Sequence, residues 1–202
     1  MSEGRLFIVT APSGAGKTSL LREILKREER LAVSISHTTR PMRKGEEDGV
    51  DYYFVSPEEF ERINGQDGFL EYAEVFGNLY GTSRAEVKRL QNEGLDVILE
   101  IDWQGAQLVR KKMPEAVGIF ILPPSLAVLE ARLRDRGTDD DDVISRRLDQ
   151  ARSDISHCQD FEHCVTNDDF EETVKQLCSL IQDPDQADED SRPCHERVLG
   201  SS

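Results

Sequence analysis

No apolar run in this 202-residue chain approaches the roughly 20 residues that a membrane-spanning helix needs. The N-terminus also lacks the charged-then-apolar pattern of an export signal, so a cytoplasmic protein with no membrane partner is expected. Cysteine is scarce. The four present, Cys158, Cys164, Cys178 and Cys194, form no CxxC pair. His157-Cys158 and His163-Cys164 hint at a metal site, but neither spacing fits a zinc pattern. Cys164 and Cys178 fall on apolar positions of an expected strand and helix, so reduced thiols are the better reading. Positive charge is outnumbered: 25 Lys and Arg against 40 Asp and Glu leave a net charge of −15. That balance argues against nucleic acid or an anionic membrane as a partner. Any phosphate the chain binds must meet a local basic patch. Internal repeats are absent.

What is present is ordinary for a globular chain, with 37% hydrophobic and 32% charged residues, enough for one domain with small insertions. Its most informative stretch is 6–18. Leu6 to Val9 form a short apolar, β-branched run that reads as a buried strand. Ala11-Pro12-Ser13-Gly14-Ala15-Gly16-Lys17-Thr18 follows, then a helix with Leu20, Leu21, Ile24 and Leu25 on one face. Strand, small-residue loop, Lys-Thr and helix together give a P-loop its structural context. The loop N–H groups and the helix N-terminus make an anion nest, Lys17 adds a point charge, and the Thr18 hydroxyl can ligate Mg²⁺. Ala11 stands where the general pattern wants Gly, which is acceptable if its φ stays negative.

Ala32 to His37 alternate as a second strand. The loop from Ser36 to Gly45 holds four cations or potential cations (His37, Arg40, Arg43, Lys44), which suits a second anion site or a solvated basic loop equally. Tyr52 to Val55 reads as a short strand, and Ser56-Pro57-Glu58-Glu59 as a helix start. Phe69 to Phe76 is a strand returning through Gly77-Asn78 into Leu79-Tyr80. Residues 38–82 therefore form a small, largely antiparallel insertion. Glu71 shares a strand face with Phe69, Ala73 and Val75, which makes it a strand-edge charge or a reader of donor groups. Ser83 and Glu86 make a second capping box, closed by Gly94. The run Leu95 to Asp102 ends in two acids, Glu100 and Asp102, where a Mg²⁺ or substrate would sit in an open α/β sheet. A helix over 103–113, a strand over Val117–Leu122 and a helix capped by Ser125 follow. Arg132, Arg134, Arg136, Arg146 and Arg147 cluster across a helix–loop–helix, which in an acidic phosphate-binding chain points to function. Cys164 to Thr166 is a last strand. Phe170, Val174, Leu177, Leu180 and Ile181 mark a final helix.

These stretches resemble guanylate kinase, the ATP:GMP phosphotransferase, over about 4–182. The resemblance rests on Ala11–Thr18, Ser36–Glu46, Asp51–Val55, Phe69–Thr82, Glu100–Gly105 and Asn167–Asp169. A P-loop alone fits many enzymes; a P-loop, TTRxxRxGE and GNxYGT in this order is specific. The resemblance implies an α/β P-loop NTPase fold. Its parallel five-stranded sheet is flanked by helices (4–37, 83–124, 156–182), with a mostly antiparallel GMP-binding insertion (38–82) and a helical lid (125–155). Residues 183–202 are an acidic tail expected to be disordered. Carried over by position, Ser36, Glu71, Thr82 and Asp102 surround the guanine, and Arg40, Arg43, Tyr52 and Tyr80 hold the GMP phosphate. Lys17, Arg132, Arg136 and Arg147 act on the transferring phosphoryl, residues 11–18 bind the ATP phosphates, and Asn167 lies beside the ATP base or ribose. Mg²⁺ is the implied cofactor, held by Thr18, with Glu100 or Asp102 through water; position 100 is Glu where relatives commonly have Asp.

The implied chemistry needs no general base, because the acceptor is an oxygen of GMP that is already anionic at neutral pH. ATP and GMP are the expected small-molecule substrates, in purine nucleotide metabolism, with a monomer or homodimer as assembly. Two alternatives compete. A scaffold module that has lost catalysis would carry a damaged P-loop, whereas Gly16, Lys17 and Thr18 are intact. A kinase for another nucleoside monophosphate would lack the guanine-side residues.

Overall fold

The structure is a computed structural model that describes residues 4–75, 77–135, 140–186, 198 and 199. Element boundaries follow from local chemistry. Strand β1 (Leu6–Thr10) is fully buried, as its apolar run requires. It leads through the loop 11–16 into helix α1 (Lys17–Arg27), whose inward face is Leu20, Leu21 and Ile24. Strand β2 (Leu31–Val33) is shorter than the alternation over Ala32 to His37 suggests. The chain leaves it at Ser34, whose N–H still donates to Ile98 O at 3.0 Å, and re-enters a different sheet as β3 (His37–Thr38). One alternating run thus serves two sheets.

Strand β4 (Tyr53–Phe54) precedes helix α2 (Pro57–Gly65), where the Ser56 hydroxyl accepts from Glu59 N and proline takes the first position. Strands β5 (Phe69–Val75) and β6 (Asn78–Ser83) form an antiparallel hairpin. Helix α3 (Arg84–Asn92) starts on the Ser83 cap, which accepts from Glu86 N at 3.3 Å. Strand β7 (Asp96–Glu100) is followed by α4 (Trp103–Lys112), strand β8 (Val117–Leu122), α5 (Leu126–Asp135) and α6 (Asp141–Ser156). Strand β9 (His163–Thr166) and helix α7 (Phe170–Gln182) complete the domain.

Five strands form the main sheet in the order β2-β7-β1-β8-β9, and four form a second sheet in the order β4-β3-β6-β5. The pairs β2–β7 and β8–β9 are parallel, as crossover helices demand. In the second sheet β3–β6 and β5–β6 are antiparallel while β3–β4 is parallel, which makes the insertion mixed and mostly antiparallel. Contacts group the chain into two units: Arg30–Ala116 with the N-terminal residues to Phe7, and Ile8–Glu29 with Val117 onward.

Within the first unit, Phe60, Phe69 and Leu70 are fully buried under the small sheet. Val97, Ile98, Leu99 and Val109 fill its share of the main sheet. In the second unit the core is Ile119 to Leu122, Leu129, Leu133, Val165, Val174 and Leu177, all at most 1% exposed. Helix α1 is tied to α7 by Arg27 to Glu171 at 2.9 Å and Gln182 to Glu28 at 2.9 Å. Phe170, counted on the apolar face of α7, is 40% exposed, because it occupies the first position of that helix. Among the described residues Cys158, Cys164 and Cys178 are reduced thiols; Cys164 Sγ donates to Cys158 O at 3.0 Å. Of the acidic tail, Pro184–Gln186 form a 3-10 turn and Val198 is buried.

Candidate functional site

In the second unit the loop after β1 has the geometry that phosphate binding asks for. Ala15 N–H donates to Pro12 O at 3.1 Å, closing the turn. Gly14 and Gly16 adopt φ of +93° and +97°, the left-handed region where a side chain is strained. Ala11 is not among the residues with positive φ, so the departure from glycine there costs nothing. Gly16 sits at the cap position of α1 in the left-handed conformation, and no side chain caps that helix. The first-turn N–H groups of a helix are donors in search of an acceptor, and an anion satisfies them. The loop rests on α5: a Cβ on Gly14 would lie 3.0 Å from Leu129 and 3.1 Å from Leu133.

Two further expected residues converge on this loop. The Asn167 side chain is buried, and its Nδ2 donates to Ala15 O at 2.7 Å. Arg132 Nη1 reaches the same carbonyl at 3.4 Å, while its Nη2 donates to Asn167 O at 3.2 Å. Arg147 lies on α6, part-buried. Arg136 falls outside the described residues. Arg134, one of the five clustered arginines, is occupied elsewhere: it pairs with Glu130 and with Asp141, so it ties α5 to α6.

In the first unit the expected residues fall into two groups. The first is built on the hairpin β5–β6. Glu71 is buried to 9% exposure, and the Thr82 hydroxyl donates to its Oε1 at 2.6 Å. The pairing depends on a β-bulge, because Phe69 opposes Ser83 whereas Glu71 opposes Thr82. The bulge also breaks the simple alternation expected of β5: Phe69, Leu70 and Glu71 are consecutively buried, and Val75 is exposed rather than sharing a buried face with Glu71. Asp102 caps α4, accepting from Gly105 N at 2.7 Å. A Cβ on Gly105 would stand 3.2 Å from Glu71 Oε2 and 3.3 Å from Asp102 Oδ1, so the two carboxylates meet across this glycine. Burial raises the pKa of Glu71 above the usual range and the nearby Asp102 charge adds to it, while the Thr82 hydrogen bond opposes both. Ser36 lies just ahead of β3, its carbonyl accepting from Tyr53 N at 3.0 Å.

The second group surrounds Arg40. Its guanidinium stands 5.4 Å from the Tyr52 ring centroid and 5.7 Å from Phe54, and Tyr52 and Tyr80 meet edge to face at 5.9 Å. Glu46 holds Arg40 by two hydrogen bonds, Nη2 to Oε1 at 2.7 Å and Nη1 to Oε2 at 3.0 Å. The same carboxylate accepts from Arg43 N at 2.7 Å, shaping the loop that carries both arginines. The Arg43 side chain is exposed and is not brought into the cluster by these contacts. Pattern reading assigned Glu46 no part in this cluster; its signal was an acid closing a basic loop. His37 also departs from expectation. It lies in β3, packed at 4.9 Å from Tyr53 and 5.6 Å from Phe69, where burial lowers its pKa.

The candidate metal donors are all oxygens, the hard set that suits Mg²⁺. Thr18 is exposed in the first turn of α1; Glu100 and Asp102 are exposed at the carboxyl end of β7, one Asp102 oxygen being engaged in capping α4. The donor chemistry fits the ion.

A phosphate nest in one unit, and a buried carboxylate with an aromatic-backed arginine in the other, describe a nucleotide enzyme with two anionic substrates. Comparison with known proteins bears this out. The family model described as guanylate kinase matches residues 3–184. A guanylate kinase of Hahella chejuensis is 55% identical over 182 residues, covering 90% of this chain and 88% of the relative. One of Vibrio cholerae is 52% identical over 184 residues, covering 90% and 89%. Among solved structures, the crystal structure of guanylate kinase from Anaplasma phagocytophilum aligns with a TM-score of 0.72 at 35% identity, over 94% of this chain and 90% of that one. With motifs, fold and relatives in agreement from end to end of the domain, the chain belongs to the guanylate kinase family.

Proposed function

We propose that this chain transfers the γ-phosphoryl group of ATP to GMP, giving ADP and GDP. The observation that carries the reading is the buried Glu71 beside Thr82. Guanine offers two adjacent donors on one edge, N1–H and the exocyclic amine, and a carboxylate accepts both. Adenine presents an acceptor at N1 and no 2-amino group, which would leave the buried carboxylate unpaired. Ser36 and Asp102 second Glu71 at the base. Arg40, Tyr52 and Tyr80, with Arg43 reaching in from its exposed loop, hold the GMP phosphate.

On the donor side, residues 11–18 cradle the ATP phosphates with backbone N–H groups, and Asn167 stands at that loop. Lys17, Arg132, Arg136 and Arg147 meet the charge on the transferring group. Thr18 would be one holder of Mg²⁺, and Glu100 and Asp102 are further oxygen donors of the kind that ion takes. Bound there, Mg²⁺ would supply positive charge against the phosphates. The chain's own task is positioning and charge stabilisation, since no proton need leave the acceptor oxygen before attack. A cytoplasmic monomer or homodimer acting on free nucleotides suits this role. Among the described residues no helix is long and apolar enough to cross a membrane.

Substituting Lys17 by Ala tests the enzyme reading against a catalytically silent module. The variant is expected to melt near the parent Tm and to lose at least ~10²-fold in kcat, as removal of one preorganised donor does elsewhere. Unchanged turnover would favour the module.

A further inference from the structure

Family resemblance puts Asn167 beside the ATP base or ribose; its side chain also engages the phosphate loop. It is 5% exposed, and its Nδ2 donates to the Ala15 carbonyl at 2.7 Å. Its own backbone is anchored, N–H to Leu122 O at 2.8 Å, at the end of the β8–β9 ladder. Arg132 bridges the two residues, reaching Ala15 O at 3.4 Å and Asn167 O at 3.2 Å. An ideal Cβ on Gly16 would lie 2.5 Å from Asn167 Nδ2, so amide and loop are in direct contact. Three observations therefore single out one peptide unit, Ala15–Gly16.

A trans peptide is planar, with its C=O and N–H pointing in opposite directions. Drawing the Ala15 oxygen towards Asn167 turns the Gly16 N–H to the opposite side. Left alone, this peptide would flip cheaply. A flip is absorbed by ψ of the preceding residue and φ of the following one, and the following one is glycine, already at φ +97° and tolerant of either sign. A flipped peptide would aim a carbonyl oxygen, not an N–H, at a phosphate, replacing attraction by repulsion in the nest.

We propose that Asn167 is a positioning residue of the donor site. It locks the Ala15–Gly16 peptide so that the Gly16 N–H faces the polyphosphate. It therefore serves any nucleoside triphosphate through the phosphates, independently of the base. The proposal rests on reading residues 11–18 as the ATP phosphate site.

The test is Asn167→Ala, with Asn167→Asp beside it, which keeps the shape but sets an acceptor against the Ala15 carbonyl. Each is assayed with ATP and with CTP as donor at saturating GMP, and titrated with inorganic tripolyphosphate as a base-free probe. The expected result is a loss of about 10²-fold in kcat/KM, as for a small misplacement of a catalytic group, equal for ATP and CTP. Tripolyphosphate affinity falls with it, the GMP KM holds, and the Gly16 amide resonance moves. A loss confined to ATP, with CTP and tripolyphosphate unaffected, makes Asn167 a reader of the base and overturns the proposal. An equal fall in GMP affinity and Tm makes it a general structural contact, and overturns it too. If Asn167→Ala does not fold, Asn167→Asp yields the same readouts. Failure of the underlying reading looks different: the parent protein itself would neither phosphorylate GMP from ATP nor bind tripolyphosphate.

Discussion

Glu71 answers to two opposed demands. The guanine pairing proposed for it would require the carboxylate form, whereas burial, with Asp102 nearby, raises its pKa and favours the protonated form. The sign follows. As pH falls through that raised pKa, kcat/KM for GMP is lost, so the acid limb lies above the ordinary glutamate range. A carboxyl whose folded pKa is raised gives stability at low pH that is lost as pH rises through it, so ionised Glu71 costs stability at neutral pH. Glu71→Gln keeps an acceptor for Thr82 and removes the charge. It is expected to hold or raise Tm at neutral pH, to erase that acid limb, and to narrow the preference for GMP over AMP by at least ~10²-fold. A pH–rate profile of both proteins checks this, and an unchanged acid limb in the variant would assign it to another group. The carboxylate itself was legible, as an acid set among apolar residues. Thr82 was grouped with it only through the family resemblance, because the bulge that brings Thr82 opposite Glu71 leaves no mark in the spacing.

At the scale of elements, ends were easier to read than interiors. Ser56 and Ser83 cap helices as their spacing to Glu59 and Glu86 implies, because a cap is a local bargain between neighbours. The run 32–37 defied pattern reading because alternation fixes a side-chain face but not a sheet, and the chain changes sheets at Ser34. The site inherits its rigidity from one tightly packed hairpin. On β6, a Cβ at Gly81 would lie 2.9 Å from Phe69 and 3.0 Å from Phe60, two rings stacked at 4.4 Å and both at most 2% exposed. Neither ring can withdraw without opening a void. Gly81→Ala is therefore expected to cost about 1–3 kcal/mol and to raise the GMP KM, since Gly81 lies between Tyr80 and Thr82. Denaturant melts and GMP kinetics measure both. A fully stable variant would mean that the hairpin repacks freely.

For the whole molecule, the order of strands and helices was legible, while the company each charge keeps was not. Five clustered arginines read alike in sequence, yet Arg134 ties two helices together and Arg132 leans on the phosphate loop. Arg40 is pre-set by Glu46, a contact across a loop turn that only the folded chain reveals. A net charge of −15 opposes two anionic substrates at long range, but at physiological salt that field is screened within about 8 Å. On the proposed function, local donors would then decide binding: the nest at 11–16 and the fork of Arg40. Buried Val198 lies in a stretch that composition marks as tail, since one apolar residue in an acidic run gives no periodicity to read.

A phosphate loop and a guanine-reading carboxylate together would make this chain a GMP-specific phosphotransferase. The most direct measurement is ADP formation from ATP and Mg²⁺, followed with GMP, AMP, CMP, UMP and dTMP as acceptors. Turnover is expected with GMP, with a kcat/KM for AMP lower by roughly 10⁴-fold, the rejection attainable when a buried acceptor is left unpaired. Comparable turnover with AMP, or none with any acceptor, would contradict it.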